Sequence, residues 1–216
     1  FKINNQISSS WLEKEINEIK KFENLEIKTR TSVAAFHGYN FLLARENLTD
    51  HLPLDQRKNK TRQRLLKIRA KKVIIATGSL ERPLIFDNND RPGIILSSAI
   101  EKYANLFGVA CGEKNVLFTN NDSAYETAIS LHQKGIKVEA IIDIREEIDS
   151  KLIKETEKNN IKVYKGYTVV NTSGYKRINK VSIMQLSKDG QKAIGSKISI
   201  ICDCLGVSGG WTPAVH

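Results

Sequence analysis

The spacing of apolar positions changes several times along the chain, and each change marks an element. Over residues 9–22 (SSWLEKEINEIKKF), Trp11, Leu12, Ile16, Ile19 and Phe22 recur at helical spacing, which predicts an amphipathic helix capped by Ser9 or Ser10. Residues 25–29 and 31–36 read as short strands, and 40–46 and 63–69 as two further strands. The polar, charged stretch 47–62, which contains Pro53, reads as a long hairpin connection between the last two. Val73 to Ala76 form a continuous apolar run, the pattern of a strand buried on both faces of a parallel sheet, and the run closes at Thr77-Gly78. Residues 80–96 carry Pro83, Pro92 and Gly93 and read as an irregular linker. A helix with a serine cap is predicted over 97–107.

From there the pattern alternates cleanly. Asn115 to Thr119 is a strand, and Asp122 to Lys134 a helix that ends at Gly135. Val138 to Ile142 is a strand, 147–158 a charged helix and 161–165 a strand. Residues 167–171, 178–186 and 193–202 read as an antiparallel meander, and the chain then closes on a turn. Strands alternating with helices, followed by a small antiparallel set, predict an α/β fold. The expected architecture is a partial FAD/NAD(P)-binding module, Rossmann-like and of the disulfide-reductase type, with an inserted second βαβ module and small antiparallel meanders. The expected division is 1–90 as the C-terminal part of a first dinucleotide-binding module, 95–205 as a second Rossmann-like NAD-type module, and 206–216 as the return to the first. Residues 1–5 resemble neither a signal nor a transit peptide, and both ends read as cuts within a longer protein.

Composition modifies this picture only slightly. The net charge of +10 invites a nucleic-acid reading. Lys outnumbers Arg 24 to 10, and Ile and Asn are also frequent, which is the mark of a biased genome composition. Only the stretch 57–72 is dense in positive charge, and the basic stretch 56–64 has no interleaved aromatics of the kind that stack single-stranded nucleic acid. It reads as a solvated hairpin tip, with docking of an acidic partner or steering of an anion as the lesser alternative, and no nucleic-acid partner is expected. No apolar run reaches the roughly eighteen residues of a membrane helix, so no membrane partner is expected either. Cys111, Cys202 and Cys204 form neither CxxC nor a zinc half-site and read as buried or idle thiols in a reducing cytoplasm. His37, His51, His132 and His216 show no metal-ligand spacing, so no metal site and no catalytic residue is assigned.

Where the second module's first strand meets its helix, a dinucleotide site wants G-x-G-x-x-G. Thr119, Asn121 and Ala124 stand there instead. Asp122 adds negative charge to the first helical turn and reads as a cap. Asp143 stands where a ribose-binding acid belongs, but without the glycines it reads as a strand-end residue. This module is expected to keep the fold and bind dinucleotide poorly or not at all.

The segment Val73-Ile74-Ile75-Ala76-Thr77-Gly78-Ser79-Leu80-Glu81-Arg82-Pro83 resembles the strand-then-A-T-G motif of flavoproteins with two dinucleotide domains. Further segments narrow the resemblance: Leu48 to Leu52 (LTDHL), 84–94 (LIFDNNDRPGI), 116–125 (VLFTNNDSAY) and 206–213 (GVSGGWTP). Together these resemble the alpha subunit of heterotetrameric sarcosine oxidase, along nearly the whole chain from about residue 26. The resemblance implies that Ala76, Thr77 and Gly78 border a bound NAD, with glycine letting backbone approach the diphosphate. It also implies that the backbone of Val33 meets the adenine. The implied activity is oxidative demethylation of sarcosine to glycine, with the one-carbon unit passed to tetrahydrofolate or released as formaldehyde, and hydrogen peroxide formed. The flavins and tetrahydrofolate would belong to the wider complex, whose beta, gamma and delta subunits are the implied partners. The chain alone would be non-catalytic. A related amine or imino-acid dehydrogenase subunit, or a scaffold with a purely structural dinucleotide, stays open as an alternative.

Overall fold

The computed structural model describes residues 2–3, 6–148 and 150–215, and the chain divides into two compact units at Ile75/Ala76. His216, one of the four histidines weighed above, lies outside the described residues.

The first unit opens with two short antiparallel strands, β1 (Lys2–Ile3) and β2 (Gln6–Ile7), and the amphipathic helix α1 (Ser8–Ile19). The helix begins one residue before the expected caps. Ser9 and Ser10 therefore lie inside it, and no side chain caps its first turn. A three-stranded antiparallel meander follows: β3 (Thr31–His37), β4 (Phe41–Asn47) and β5 (Gln63–Arg69). The strand expected over 25–29 does not form, because no described segment pairs with it.

The long connection between β4 and β5 is anchored at its base and contains one helical turn, α2 (Leu54–Arg57). Thr49 is buried and donates its hydroxyl to the Thr61 carbonyl. Asp50 accepts from Arg62 Nε at 2.8 Å and from Gln63 Nε2 at 2.6 Å, with Arg57 3.7 Å away. Its carboxyl is held below the usual range by the Arg62 and Gln63 hydrogen bonds. Arg64 pairs with Glu46 at 2.7 Å. Two carboxylates, Asp50 and Glu46, thus hold three of the run's arginines within its own hairpin.

The apolar run Val73 to Ala76 is a correction. It carries no strand pairing, and Ile74 is 91% exposed. A buried parallel strand needs a neighbour on each side, and among the described residues none lies beside this run.

The second unit is a three-layer sandwich. Its centre is a five-stranded parallel sheet in the order β10-β9-β8-β14-β7, formed by β7 (Ile94–Leu96), β8 (Asn115–Thr119), β9 (Val138–Asp143), β10 (Lys162–Lys165) and β14 (Cys204–Ser208). Helices α3 (Ser97–Phe107), α4 (Ser123–Gln133) and α5 (Ser150–Lys158) are the crossovers between β7, β8, β9 and β10. The antiparallel meander β11 (Tyr167–Ser173), β12 (Lys180–Leu186) and β13 (Ala193–Ile201) follows. Alternation along β8 builds both cores. Leu117 joins Ile100, Tyr125, Ala128 and Leu131 on the helix side, whereas Val116 and Phe118 join Val169, Ile178, Val181 and Ile183 on the meander side.

Two parallel strands escape the sequence pattern. β7 is three residues long, lies directly behind Pro92-Gly93 and falls inside the stretch read as irregular. β14 holds a central place in the sheet, fully buried, where the sequence reads as a turn. Gly206 is the reason: an added Cβ would stand 2.5 Å from Leu117 Cδ2 and 2.8 Å from Ile100 Cδ1, so only glycine lets these side chains cross the strand.

Candidate functional site

The chain enters and leaves the three-layer body through a narrow neck. β6 (Ser79–Glu81) pairs antiparallel with β15 (Trp211–Pro213), so residues far apart in sequence run side by side. The ladder extends in both directions. Arg82 N donates to Gly210 O at 2.9 Å, and Ala214 N donates to Gly78 O at 2.9 Å. The Thr77 hydroxyl donates to the Ala214 carbonyl. Thus Thr77 and Gly78, two of the expected cofactor residues, are fixed at the outer end of the neck, and Ala76 precedes them where the unit begins.

Gly78 has φ +76°, and a Cβ built on it meets nothing within 4 Å among the described residues. The glycine is therefore required here by backbone conformation rather than by local crowding, and its open side is free for a ligand's approach. Val33 lies in the first unit, on β3, at a slip in the ladder: Val33 pairs with Ala44 and Ala35 with Leu43, which leaves Ala34 without a partner. The exposed side chain of Val33 and the irregular backbone beside it suit a main-chain contact.

Glu81 was not singled out by the sequence. It is 8% exposed, and its carboxylate accepts from Ser98 N at 2.9 Å and Ser98 Oγ at 2.6 Å, at the amino end of α3. The expected serine cap is thus replaced by a carboxylate reaching across from the neck, which suits the partial positive charge of a helix start. Ser97 lies inside the helix.

The second candidate region is the crevice at the carboxyl ends of β8, β9 and β14, where open α/β sheets bind nucleotides. Asn121 Nδ2 donates to Ser208 O at 3.1 Å and Ser208 Oγ at 3.0 Å, while its Oδ1 accepts from Ser123 N at 3.1 Å and from Ser123 Oγ. Asn121 therefore caps α4. Asp122, expected in that role, makes no capping bond and pairs instead with Arg145 at 2.8 Å. Asp143 closes β9 as a fully buried strand-end acid. It accepts from Arg145 N at 2.9 Å, Nε at 3.1 Å and Nη2 at 2.8 Å, and from the Tyr125 hydroxyl at 3.1 Å. The Tyr125 hydroxyl is pushed well above its ordinary pKa, first by burial and then by the Asp143 charge. Arg145 is raised in turn by its hydrogen bonds to Asp143 and Asp122. Trp211 Nε1 lies 3.3 Å from Ser123 Oγ, against the start of the same helix.

At the opposite, amino ends of the strands lies an open depression of about 640 Å³ lined by Cys111, Gly112, Lys137, Arg177 and Asp203. Its arginine is engaged by the chain itself: Arg177 donates to the carbonyls of Asp203 (2.7 Å) and Cys111. Asp203 accepts from the backbone of Glu113 at 3.0 Å and Lys114 at 2.8 Å. No group of three or more metal-binding side chains exists among the described residues.

The comparisons with known proteins agree with this architecture. The chain is 34% identical over 209 residues to sarcosine oxidase subunit alpha of Corynebacterium sp. (strain U-96), covering 97% of the chain and 22% of that protein. Over its own length, the chain is a relative of the sarcosine oxidase alpha subunit. It is 30% identical over 200 residues to the subunit alpha of Rhizobium meliloti (strain 1021), covering 93% of the chain and 19% of the relative. The chain therefore spans about a fifth of the curated relatives it matches. No family model matches it. Among solved structures, T. acidophilum thioredoxin reductase superposes with a TM-score of 0.65 at 17% identity, over 97% of this chain and 62% of that one. L-proline dehydrogenase from P. horikoshii gives 0.59 at 20% identity, over 99% and 33%. The fold is that of the dinucleotide-binding region of FAD- and NAD-dependent oxidoreductases, and the curated relatives are oxidoreductase subunits.

Proposed function

We propose that this chain is the nucleotide-binding region of a sarcosine oxidase-type alpha subunit, that Ala76, Thr77 and Gly78 border a bound NAD, and that the backbone at Val33 is a nucleotide contact of the first unit. The observation that supports this most is the sustained identity to the alpha subunits over 97% of the chain. The neck adds physical support, because the one glycine of the A-T-G motif has positive φ and none of the described residues fills the space beside it. A flexible, unbranched backbone at such a point is what a diphosphate needs for close approach. NAD, when bound, supplies a two-electron carrier or a structural strut. The chain's own residues contribute orientation and shape, and no described residue is assigned a chemical step.

In this reading the whole protein would work in a complex with further subunits, one of which would hold the flavin that supplies the two-electron oxidation of sarcosine to glycine. The one-carbon unit goes to tetrahydrofolate or leaves as formaldehyde, and oxygen is reduced to hydrogen peroxide. The complex would work in the cytoplasm. The test uses the assembled complex. Oxygen uptake with sarcosine, compared with cyclic imino acids, is expected to favour sarcosine, and preference for a cyclic imino acid would reassign the substrate. Nucleotide released on denaturation is expected to be NAD in the parent and strongly depleted in Gly78→Val. Undiminished NAD in that variant would remove Gly78 from the site.

A further inference from the structure

We infer that the second module's nucleotide crevice is closed by its own side chains, Asn121 across the exits of β8 and β14 and Arg145 across the acids of α4 and β9, so that this crevice takes no dinucleotide. The sheet order and crossovers are those of a nucleotide-binding unit, yet each of the three features that bind a dinucleotide has been taken by an internal group. The first is an open, Cβ-free turn after the first strand. Here that turn carries Asn121, whose amide donates to Ser208 at 3.0 and 3.1 Å and stitches two strand exits together. The second is a helix start with unmet N–H groups facing the diphosphate. The Ser123 N–H is already met by Asn121 Oδ1, Trp211 lies against Ser123, and the Asp122 carboxylate occupies the same first turn.

The third is a free acid at the end of the second strand, for a ribose hydroxyl. Asp143 is 0% exposed and accepts four bonds from Arg145, two of them shared by one Nε–H, and one from Tyr125. Arg145 in turn holds Asp122 and Asp143 at 2.8 Å each, bridging the two sides of the crevice mouth. The local charge is two carboxylates against one guanidinium, net negative where a diphosphate would arrive. Opening the crevice would leave the buried Asp143 without its charge partner, an arrangement low-dielectric surroundings strongly disfavour. The closure thus has two functions in one: it excludes the nucleotide and it fastens the sheet's carboxyl edge.

The test titrates the 216-residue chain with NADH while following backbone amides and the Trp211 indole by NMR. Up to about 1 mM NADH, no saturable shift is expected at Asn121, Ser123, Arg145 or Trp211. Shifts confined to Ala76–Gly78 also support the closure, and they would report separately on the proposed NAD contact. Saturable shifts at Asn121, Ser123 and Arg145 would overturn it. A second measurement addresses the clip itself: Arg145→Ala is expected to lower the melting temperature by roughly 5–15 °C. An unchanged melting temperature with unchanged amide exchange at Asp143 would show that Arg145 closes nothing.

Discussion

The Ala214 amide donates to the Gly78 carbonyl at 2.9 Å, joining the segment that enters the three-layer body to the segment that leaves it. The adjacent Thr77 hydroxyl donates to the Ala214 carbonyl, so the outer end of the neck is held by a main-chain and a side-chain bond together. Thr77→Val keeps the shape and removes the hydroxyl. The expected cost is about 1 kcal/mol, the net worth of one such bond. Hydrogen exchange at Ala214 should quicken while exchange inside β8 and β14 stays slow. Equal acceleration everywhere would mean that the neck is not a separate element.

Glu81 ties the neck to α3. Glu81→Ala removes the acceptor for Ser98 N and Oγ and should destabilise the unit by about 1–2 kcal/mol in urea denaturation, the range seen for lost helix caps. Glu81→Gln keeps an acceptor oxygen but loses the charge, so it should recover part of that loss. An alanine variant as stable as the parent would leave α3 without need of this cap.

Gly206 sets the closeness of β14 to the side chains that cross it. Gly206→Ala is expected to cost about 1–3 kcal/mol through overpacking against Leu117 and Ile100. Adding Leu117→Ala should return part of that cost, because the added methyl then fills space. Strictly additive destabilisation in the double variant would contradict the direct contact.

Asp203 gives the acid side of the stability profile a specific contributor. Burial alone would raise its pKa, but the backbone N–H groups of Glu113 and Lys114 and the charge of Arg177 outweigh it, and the folded value lies below 3.8. A carboxyl depressed in the folded state contributes stability that is complete above the unfolded pKa and is lost as pH falls through the folded value. Asp203→Asn should therefore flatten the loss of stability below about pH 4 while lowering stability at neutral pH. An unchanged acid limb would exclude this carboxyl as its source.

The cysteines should be silent in the folded state. Burial raises Cys202 and Cys204 to about 12, and burial also raises Cys111. Because the thiolate is the reactive form, a thiol reagent at pH 8 should label Cys202 and Cys204 only after unfolding. Rapid labelling of either in the native protein would place it at the surface.

What the sequence could reveal followed from element length and neighbours. The helix over Ser123–Gln133 and the strands on either side are long and regularly patterned, and they form within a residue or two of the expected bounds. β7 and β14 were invisible because three residues behind Pro92-Gly93, or five around Gly206, carry too little periodicity; the sheet itself makes them strands. The opposite failure occurred at Val73 to Ala76, where an apolar run reads as a buried strand but no described strand pairs with it. At the crevice, the loss of the glycines was plain in the sequence. The replacement of Asp122 by Asn121 as the cap was not, since both residues favour that role, and only the position of Arg145 decides between them.

The most direct measurement is the structure of the full-length protein in its complex, determined with its nucleotide in place. The expected result is one dinucleotide against the backbone of Ala76, Thr77 and Gly78, with Arg145 still bridging Asp122 and Asp143. Nucleotide density at Asn121–Ser123, or none near Gly78, would contradict it.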